Sequence, residues 1–284
     1  MAAAAAALPA ARRLRVGLIG HGTIGQYVAE KLLDGRTLPG ATLSAVLVSR
    51  PRDPPPELSG EGAPLFTADA EAFLGAPWDL AVEAAGQAAV RGLAARCLGP
   101  LRRDFMVTSV GALCDDALHR ELLGAAEQSG ARLLIAAGAL PGMDWMSSAA
   151  LEEVEAVSIT QIKRPEGWTG TPAEERVDLA GISAATTVYE GSAREAATLF
   201  PKNANISAAL ALATVGLDAA KVHLVADPAV SGPTQRIELR GAAGDLSIEV
   251  RGRPAFGSQR TSMVVPLSVV KAIRNLSSPV FIGV

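Results

Sequence analysis

Arg15-Val-Gly-Leu-Ile-Gly-His-Gly-Thr-Ile-Gly25 leads from a short buried strand, Leu14–Ile19, into the segment Thr23–Leu33, in which Ile24, Val28 and Leu32 recur at helical spacing. Strand, glycine turn and helix in that order are what a bound pyrophosphate requires. Gly20 permits a tight turn, Gly22 lets the backbone approach the anion, and Gly25 lets helix and strand pack closely. Thr23 and Ile24 open the helix, where free N–H groups and the helix dipole favour negative charge. The expected cofactor-binding positions are therefore Gly20, Gly22, Thr23, Ile24 and Gly25. His21 occupies the variable place within the turn, near a phosphate and outside the chemistry.

The segments that follow extend the pattern. Leu43–Val48, Asp79–Ala84, Phe105–Ser109 and Leu133–Ala136 read as strands, with helices over Gln87–Arg96 and Asp115–Glu127 and a surface loop over Pro51–Gly62. Alternating strands and helices imply parallel βαβ units and a Rossmann domain over residues 14–138. After Gly138 the rhythm changes. Val154–Lys163, Val222–Ala226, Arg236–Arg240 and Leu246–Arg251 read as strands, with helices over Ser192–Leu199 and Asn205–Val215. The fold class is thus α/β, with a second α+β domain over 139–284 that ends in a helix near Ser262–Leu276, a helix that could return to either domain. Residues 1–13 read as a disordered tail, with a weak organelle-targeting segment as the alternative: an alanine run precedes Arg12 and Arg13, the reverse of a secretory signal.

Composition narrows the function. A net charge of −3 with 4 % aromatic residues offers neither a basic patch nor a stacking surface, so no nucleic-acid partner is expected. No apolar stretch approaches the ~20 residues that span a bilayer, and no membrane role is expected. Cys97 and Cys114, the two cysteines, are too few for a disulfide scaffold or a four-cysteine metal site. They read as free thiols, with no bound metal and a cytoplasmic location. A pairing of Cys114 with His119 is the weaker reading.

An acid at the end of the second strand ordinarily bonds the ribose 2′-hydroxyl of NAD. Here that strand ends Leu47-Val48-Ser49-Arg50, with Arg52 close by. Arginine pairs with a 2′-phosphate, so NADP is expected to be accepted and slightly favoured over NAD, with Arg50 as the phosphate reader. Solvated loop charges are the alternative.

Several blocks together resemble the L-aspartate dehydrogenase family: Arg15 to Gly25, Val82-Glu-Ala-Ala-Gly86, Ser109-Val-Gly-Ala-Leu113, Gly138-Ala-Leu-Pro-Gly-Met-Asp144, Glu190-Gly-Ser-Ala-Arg-Glu-Ala196, Phe200-Pro-Lys-Asn-Ala-Asn205, Ala226-Asp-Pro228 and Arg260-Thr-Ser262. The alanine-rich tail and loops look like the family's animal members. The resemblance implies oxidation of L-aspartate with NAD or NADP to iminoaspartate, which hydrolyses to oxaloacetate and ammonia. It also implies a homodimer, and cofactor contacts from Ala139 and Asn205 near the nicotinamide. Ala139 follows the last Rossmann strand, where chain ends face the ligand crevice. Asn205 also suits a helix N-cap.

One departure bears on the chemistry. The family's catalytic His falls, counting forward from Ala226-Asp-Pro228, on Gln235. Glutamine orients groups but takes up no proton. Lys202, Lys163 and His223 are the alternative proton acceptors, with Lys202 preferred for its place beside Asn203 and Asn205 and His223 read as a strand residue. Lys163, Arg164, Lys202 and Arg236 are the cations available for two substrate carboxylates. His119 reads as a solvated helix residue, and Glu83 as a cofactor contact or a cap. Besides the aspartate-type oxidoreductase, the sequence leaves open an NADP(H)-binding sensor without turnover and a dehydrogenase of another small acid.

Overall fold

The computed structural model describes residues 13–255 and 258–283. The expected tail, Arg13 apart, lies outside the described residues. β1 (Leu14–Ile19), β2 (Ala41–Leu47), β3 (Leu65–Thr67), β4 (Leu80–Glu83), β5 (Asp104–Val107) and β6 (Leu133–Ile135) form a parallel sheet in the order β3-β2-β1-β4-β5-β6. That is the order of a dinucleotide-binding Rossmann sheet. The crossovers are α1 (Thr23–Leu33), α2 (Ala70–Gly75), α3 (Gln87–Leu98) and α4 (Asp116–Ser129).

The central strands β1, β4 and β5 are buried on both faces. Alternate β1 residues serve the two sides: Val16 and Leu18 pack with Val28 and Leu32 of α1, whereas Ile19 packs with Phe73, Trp78 and Val90. A Cβ on Gly17 would lie 2.8 Å from the Trp78 ring, so the glycine admits the indole against the sheet. Asp115 starts α4 by accepting from the amides of Ala117 and Leu118, and Gly130 ends it in the left-handed conformation.

α5 (Met143–Ala149) leads into the second domain. Its sheet contains β7 (Val154–Lys163), β8 (Thr186–Ser192), β9 (Lys221–Ala226), β10 (Thr234–Gly241) and β11 (Gly244–Arg251), in the order β11-β10-β7-β9-β8. β7 and β9 are parallel and the other neighbours antiparallel. α6 (Ala193–Leu199) and α7 (Ala204–Ala213) cover one face, with Ser192 and Glu195 forming a capping box at the start of α6. On that inner face Val157, Ile159, Val222, Leu224, Ile237 and Leu239 join the core that also holds Val90, Phe105 and Leu113 of the first domain. The other face, with Arg236, Glu238 and Arg240 on β10, is open to solvent. A small hairpin, β12 (Pro254–Ala255) and β13 (Ser258–Ser262), precedes α8 (Val264–Ser277).

α8 corrects the sequence-based boundary. The C-terminal helix assigned to the 139–284 unit packs on the Rossmann sheet, where Val269, Val270 and Ile273 share a core with Val16, Leu18, Val28 and Val46. Without it that face of the sheet would be uncovered beside α1. Arg194 ties the units a second way: it forks onto Asp218 (Nε–Oδ1 2.6 Å, Nη2–Oδ2 2.9 Å) and donates through Nη1 to Asp116 (3.0 Å) and the Cys114 carbonyl (3.1 Å). These carboxylates hold the Arg194 guanidinium above its ordinary pKa.

Candidate active site

The glycine turn has one side that must be bare and one that is. Gly20 has φ +98°, and a Cβ there would lie 2.5 Å from the Ala84 carbonyl oxygen. On Gly25 a Cβ would meet the Gly20 carbonyl oxygen at 2.1 Å. Both glycines are therefore required by the protein's own packing. Gly22 is different, because a Cβ there meets nothing within 4 Å. It stands at the N-cap of α1, with no side chain capping the first-turn amides of Thr23 and Ile24. Open space above uncapped amides is the cradle a pyrophosphate fills. The residues present thus fit a dinucleotide at this turn.

The ribose end carries one arginine in contact with the turn. Arg52 Nη2 lies 3.3 Å from His21 Nδ1 and donates to the His21 carbonyl at 3.2 Å, with its guanidinium 5.7 Å from the Phe66 ring centre. Burial, and then the Arg52 charge, hold the His21 imidazole below its ordinary pKa. Arg50 is exposed at the end of β2.

Glu83 ends β4 and is 0 % exposed. Its Oε1 accepts from the amides of Ala85 (2.7 Å) and Gly86 (2.7 Å) and from Ser109 Oγ (2.9 Å), and its Oε2 from the amides of Thr108 (3.2 Å) and Ser109 (3.0 Å). The carboxylate fastens together the two loops that follow β4 and β5 on the ligand edge of the sheet. The tied amides of Ala85 and Gly86 precede α3, whose N-cap position is Gly86.

Asn205 lies one turn further along the same edge. The expected N-cap role is corrected: Asn203 holds the N-cap position of α7, with no side-chain cap, and Asn205 falls inside the helix. Its Oδ1 accepts instead from the Gly111 amide of the first domain at 2.9 Å.

Ala139 and Gln235 meet in one cavity of about 350 Å³ between the domains, walled also by Gly138, Leu140, Val250, Arg253 and Leu267. Ser268 Oγ accepts from the Gly138 amide at 3.1 Å and so anchors this loop to α8. Gln235 is 9 % exposed and directly opposite Gln161 on β7. Gln161 Nε2 donates to the Asn203 carbonyl at 3.1 Å. Lys163, two residues on and so on the same face, donates to Asn203 Oδ1. Burial pushes its amine down to about 8. A wider depression of about 560 Å³ beside Arg102 and Gln128 lies by the C-terminal ends of α3 and α4, at the opposite edge of the sheet.

The other candidates separate from this cluster. Arg236 faces outward and pairs with Glu249 at 2.9 Å. Arg164 donates to the Pro228 carbonyl at 2.9 Å and is exposed. His223 lies on the outer side of β9, 3.7 Å from Glu190. Lys202 sits on the turn Pro201–Asn203, which the Gln161 and Lys163 bonds hold against β7. Burial raises the Cys114 thiol to about 11, against any nucleophilic use. Sequence reasoning missed Gln161 and Arg253. Gln161 had a signal, a polar residue at an inward position of an alternating strand; Arg253 had none.

Two domains, a Rossmann cradle and a cleft between cradle and mixed sheet define a dinucleotide-dependent oxidoreductase. Comparison with known proteins agrees. Residues 144–276 match the family model described as aspartate dehydrogenase, C-terminal, and residues 20–136 that of the homoserine dehydrogenase NAD binding domain. L-aspartate dehydrogenase of Ruegeria pomeroyi is 38 % identical, covering 94 % of each chain, and that of Ralstonia pickettii 37 % identical, covering 95 % of this chain and 100 % of the relative. The chain belongs to the L-aspartate dehydrogenase family. Its fold is shared with the crystal structure of aspartate dehydrogenase from Thermotoga maritima, at a TM-score of 0.75 and 24 % identity over 96 % of this chain and all of that one.

Proposed function

We propose that the protein oxidises L-aspartate to iminoaspartate with NADP or NAD, NADP being favoured, and that water then releases oxaloacetate and ammonia. The observation that carries this is the shared cavity of Ala139 and Gln235, which brings the end of the cofactor crevice to the inner face of the second sheet. The bound dinucleotide supplies the hydride acceptor. Gly20, Gly22, Thr23, Ile24 and Gly25 hold its pyrophosphate, and Ala139 and Asn205 flank its nicotinamide. Arg50 and Arg52 take the 2′-phosphate, a pairing that Arg52's place on the turn supports. Arg253 in the cavity wall receives a substrate carboxylate, and Lys202 the other. Gln235 orients the substrate through its amide. The outer face of the second sheet, where Ala156, Ser158 and Thr160 lie among charges with no covering layer among the described residues, is the surface for a homodimer. The free cysteines suit a cytoplasmic protein.

Gln235 also favours a second reading, an NADP(H) sensor of the same fold without turnover. The experiment that separates them is calorimetric titration with NADPH and NADH, followed by an absorbance assay with L-aspartate from pH 7 to 10. Tight binding with aspartate-dependent reduction supports the enzyme. Binding without reduction favours the sensor, and no binding overturns both.

A further inference from the structure

We infer that the amine of Lys163 is the base that takes the proton from the substrate ammonium, in place of the family histidine absent at position 235. This rests on the aspartate-oxidising reading above. The geometry comes from the second sheet. Gln235 and Gln161 are opposite one another in the antiparallel pair β10–β7, and Lys163 is the diagonal neighbour on that same face. Diagonal positions lie ~7–8 Å apart, within reach of long side chains. The amine is held from two sides: it donates to Asn203 Oδ1 and stands 4.9 Å from the centre of the Trp168 ring. Asn203 in turn belongs to the turn that begins α7, the helix joined through Asn205 to Gly111 on the cofactor edge. Lys163 is thus held by neutral groups on the sheet face that carries Gln235, and Gln235 lines the cavity.

The charges around it are engaged elsewhere. Arg164 lies 3.5 Å from Glu166, and Asp227 accepts from the Ala229 amide at 2.8 Å. Lys202, on the turn that carries Asn203, is a like charge. Among the described residues no carboxylate pairs with Lys163, and burial alone lowers its affinity for a proton, to about 8. A neutral amine accepts a proton; an ion-paired ammonium does not. In the step, Lys163 Nζ takes one proton from the aspartate ammonium. The freed nitrogen lone pair forms the C=N bond as the Cα–H bond breaks and its electron pair leaves with hydrogen to the oxidised nicotinamide. The substrate loses two electrons, the dinucleotide gains them, and the ammonium formed on Lys163 returns its proton to water in the cleft.

Two measurements on the full chain test this. In protein whose lysines carry ¹³C-methyl groups, NMR of the wild type should show one amine titrating near pH 8, a signal missing from K163R. In the assay, kcat/KM for L-aspartate should rise with pH through about 8. K163M and K163R should each lose about 100-fold or more, the range of a general base, with NADPH affinity within twofold of wild type. Added methylamine should restore K163M in proportion to its concentration. Absence of the low-titrating signal, or near-normal turnover by both variants, overturns the assignment while leaving the aspartate reading intact. A wild type that binds NADPH and oxidises no aspartate overturns that reading, and the assignment falls with it.

Discussion

Asn205 Oδ1 accepts a 2.9 Å hydrogen bond from the Gly111 amide, and this contact carries the second domain's first α7 turn onto the cofactor edge of the first. Replacing Asn205 by alanine removes one partly exposed bond, so unfolding stability should fall by only ~1 kcal/mol. The NADPH Kd should rise about tenfold, because that side chain flanks the nicotinamide in the proposed complex. Denaturant titration and calorimetry check the two numbers together; an unchanged Kd removes Asn205 from the site.

The turn glycines should divide by the space around them. G25A forces a Cβ to within 2.1 Å of the Gly20 carbonyl and should cost ~1–3 kcal/mol of stability as well as binding. G22V meets open space in the protein, so its melting temperature should stay near wild type while NADH and NADPH binding both weaken at least tenfold. A destabilised G22V with normal binding would contradict the cradle.

Glu83 predicts a structural effect on function. E83A strands four amides and a hydroxyl in the interior, and the loss should reach about 3 kcal/mol, since each buried donor left unpaired costs ~1–3 kcal/mol. E83Q keeps the volume but turns one acceptor into a donor facing amide N–H groups, so it should be nearly as unstable. Urea unfolding of the two variants decides; a mild E83Q would mean that the loops can be held by one oxygen.

R52A tests the cofactor preference. The Kd for NADPH should rise about tenfold, the loss of a charged phosphate contact, and that for NADH should stay within twofold. The His21 imidazole, lowered first by burial and then by Arg52, should rise toward its ordinary pKa in the same variant and remain below it. If R50A and R52A both leave NADPH binding unchanged, the NADP preference fails.

Q235H places at position 235 the histidine that the family resemblance implies. At pH 7 most of the Lys163 amine is protonated, because its pKa lies above that pH. A histidine in the cavity should then raise kcat/KM for aspartate by about tenfold or more and carry the acid limb of the profile below 8. No gain at pH 7 would mean that the geometry at 235 serves orientation only.

What the sequence disclosed follows from which forces are local. β1, α1 and β7 were read with their observed limits because periodicity and glycine spacing are written in consecutive residues. β3 and α2 were passed over, being three and six residues long and stabilised by position, β3 as the edge strand beside β2. Helices over Gln87 and Asp116 ran on further than their apolar pattern suggested. The site divides in the same way. The phosphate turn is a contiguous motif, whereas the company of Lys163 with Asn203, or of Gln235 with Ala139, depends on strand pairing and domain contact that no window of sequence contains. Asn205 shows the error this produces: a residue type suited to capping was used across the domain boundary.

The return of α8 to the first sheet means that the catalytic half of the molecule is an insertion. The chain leaves the Rossmann unit after β6 and re-enters it at α8. The two domains are therefore joined by two chain crossings rather than one. Residues 14–138 produced alone would keep α1 on that face but lose Val269, Val270 and Ile273 from the core around Val16, Leu18 and Val46, so the first domain is completed only by the far end of the chain.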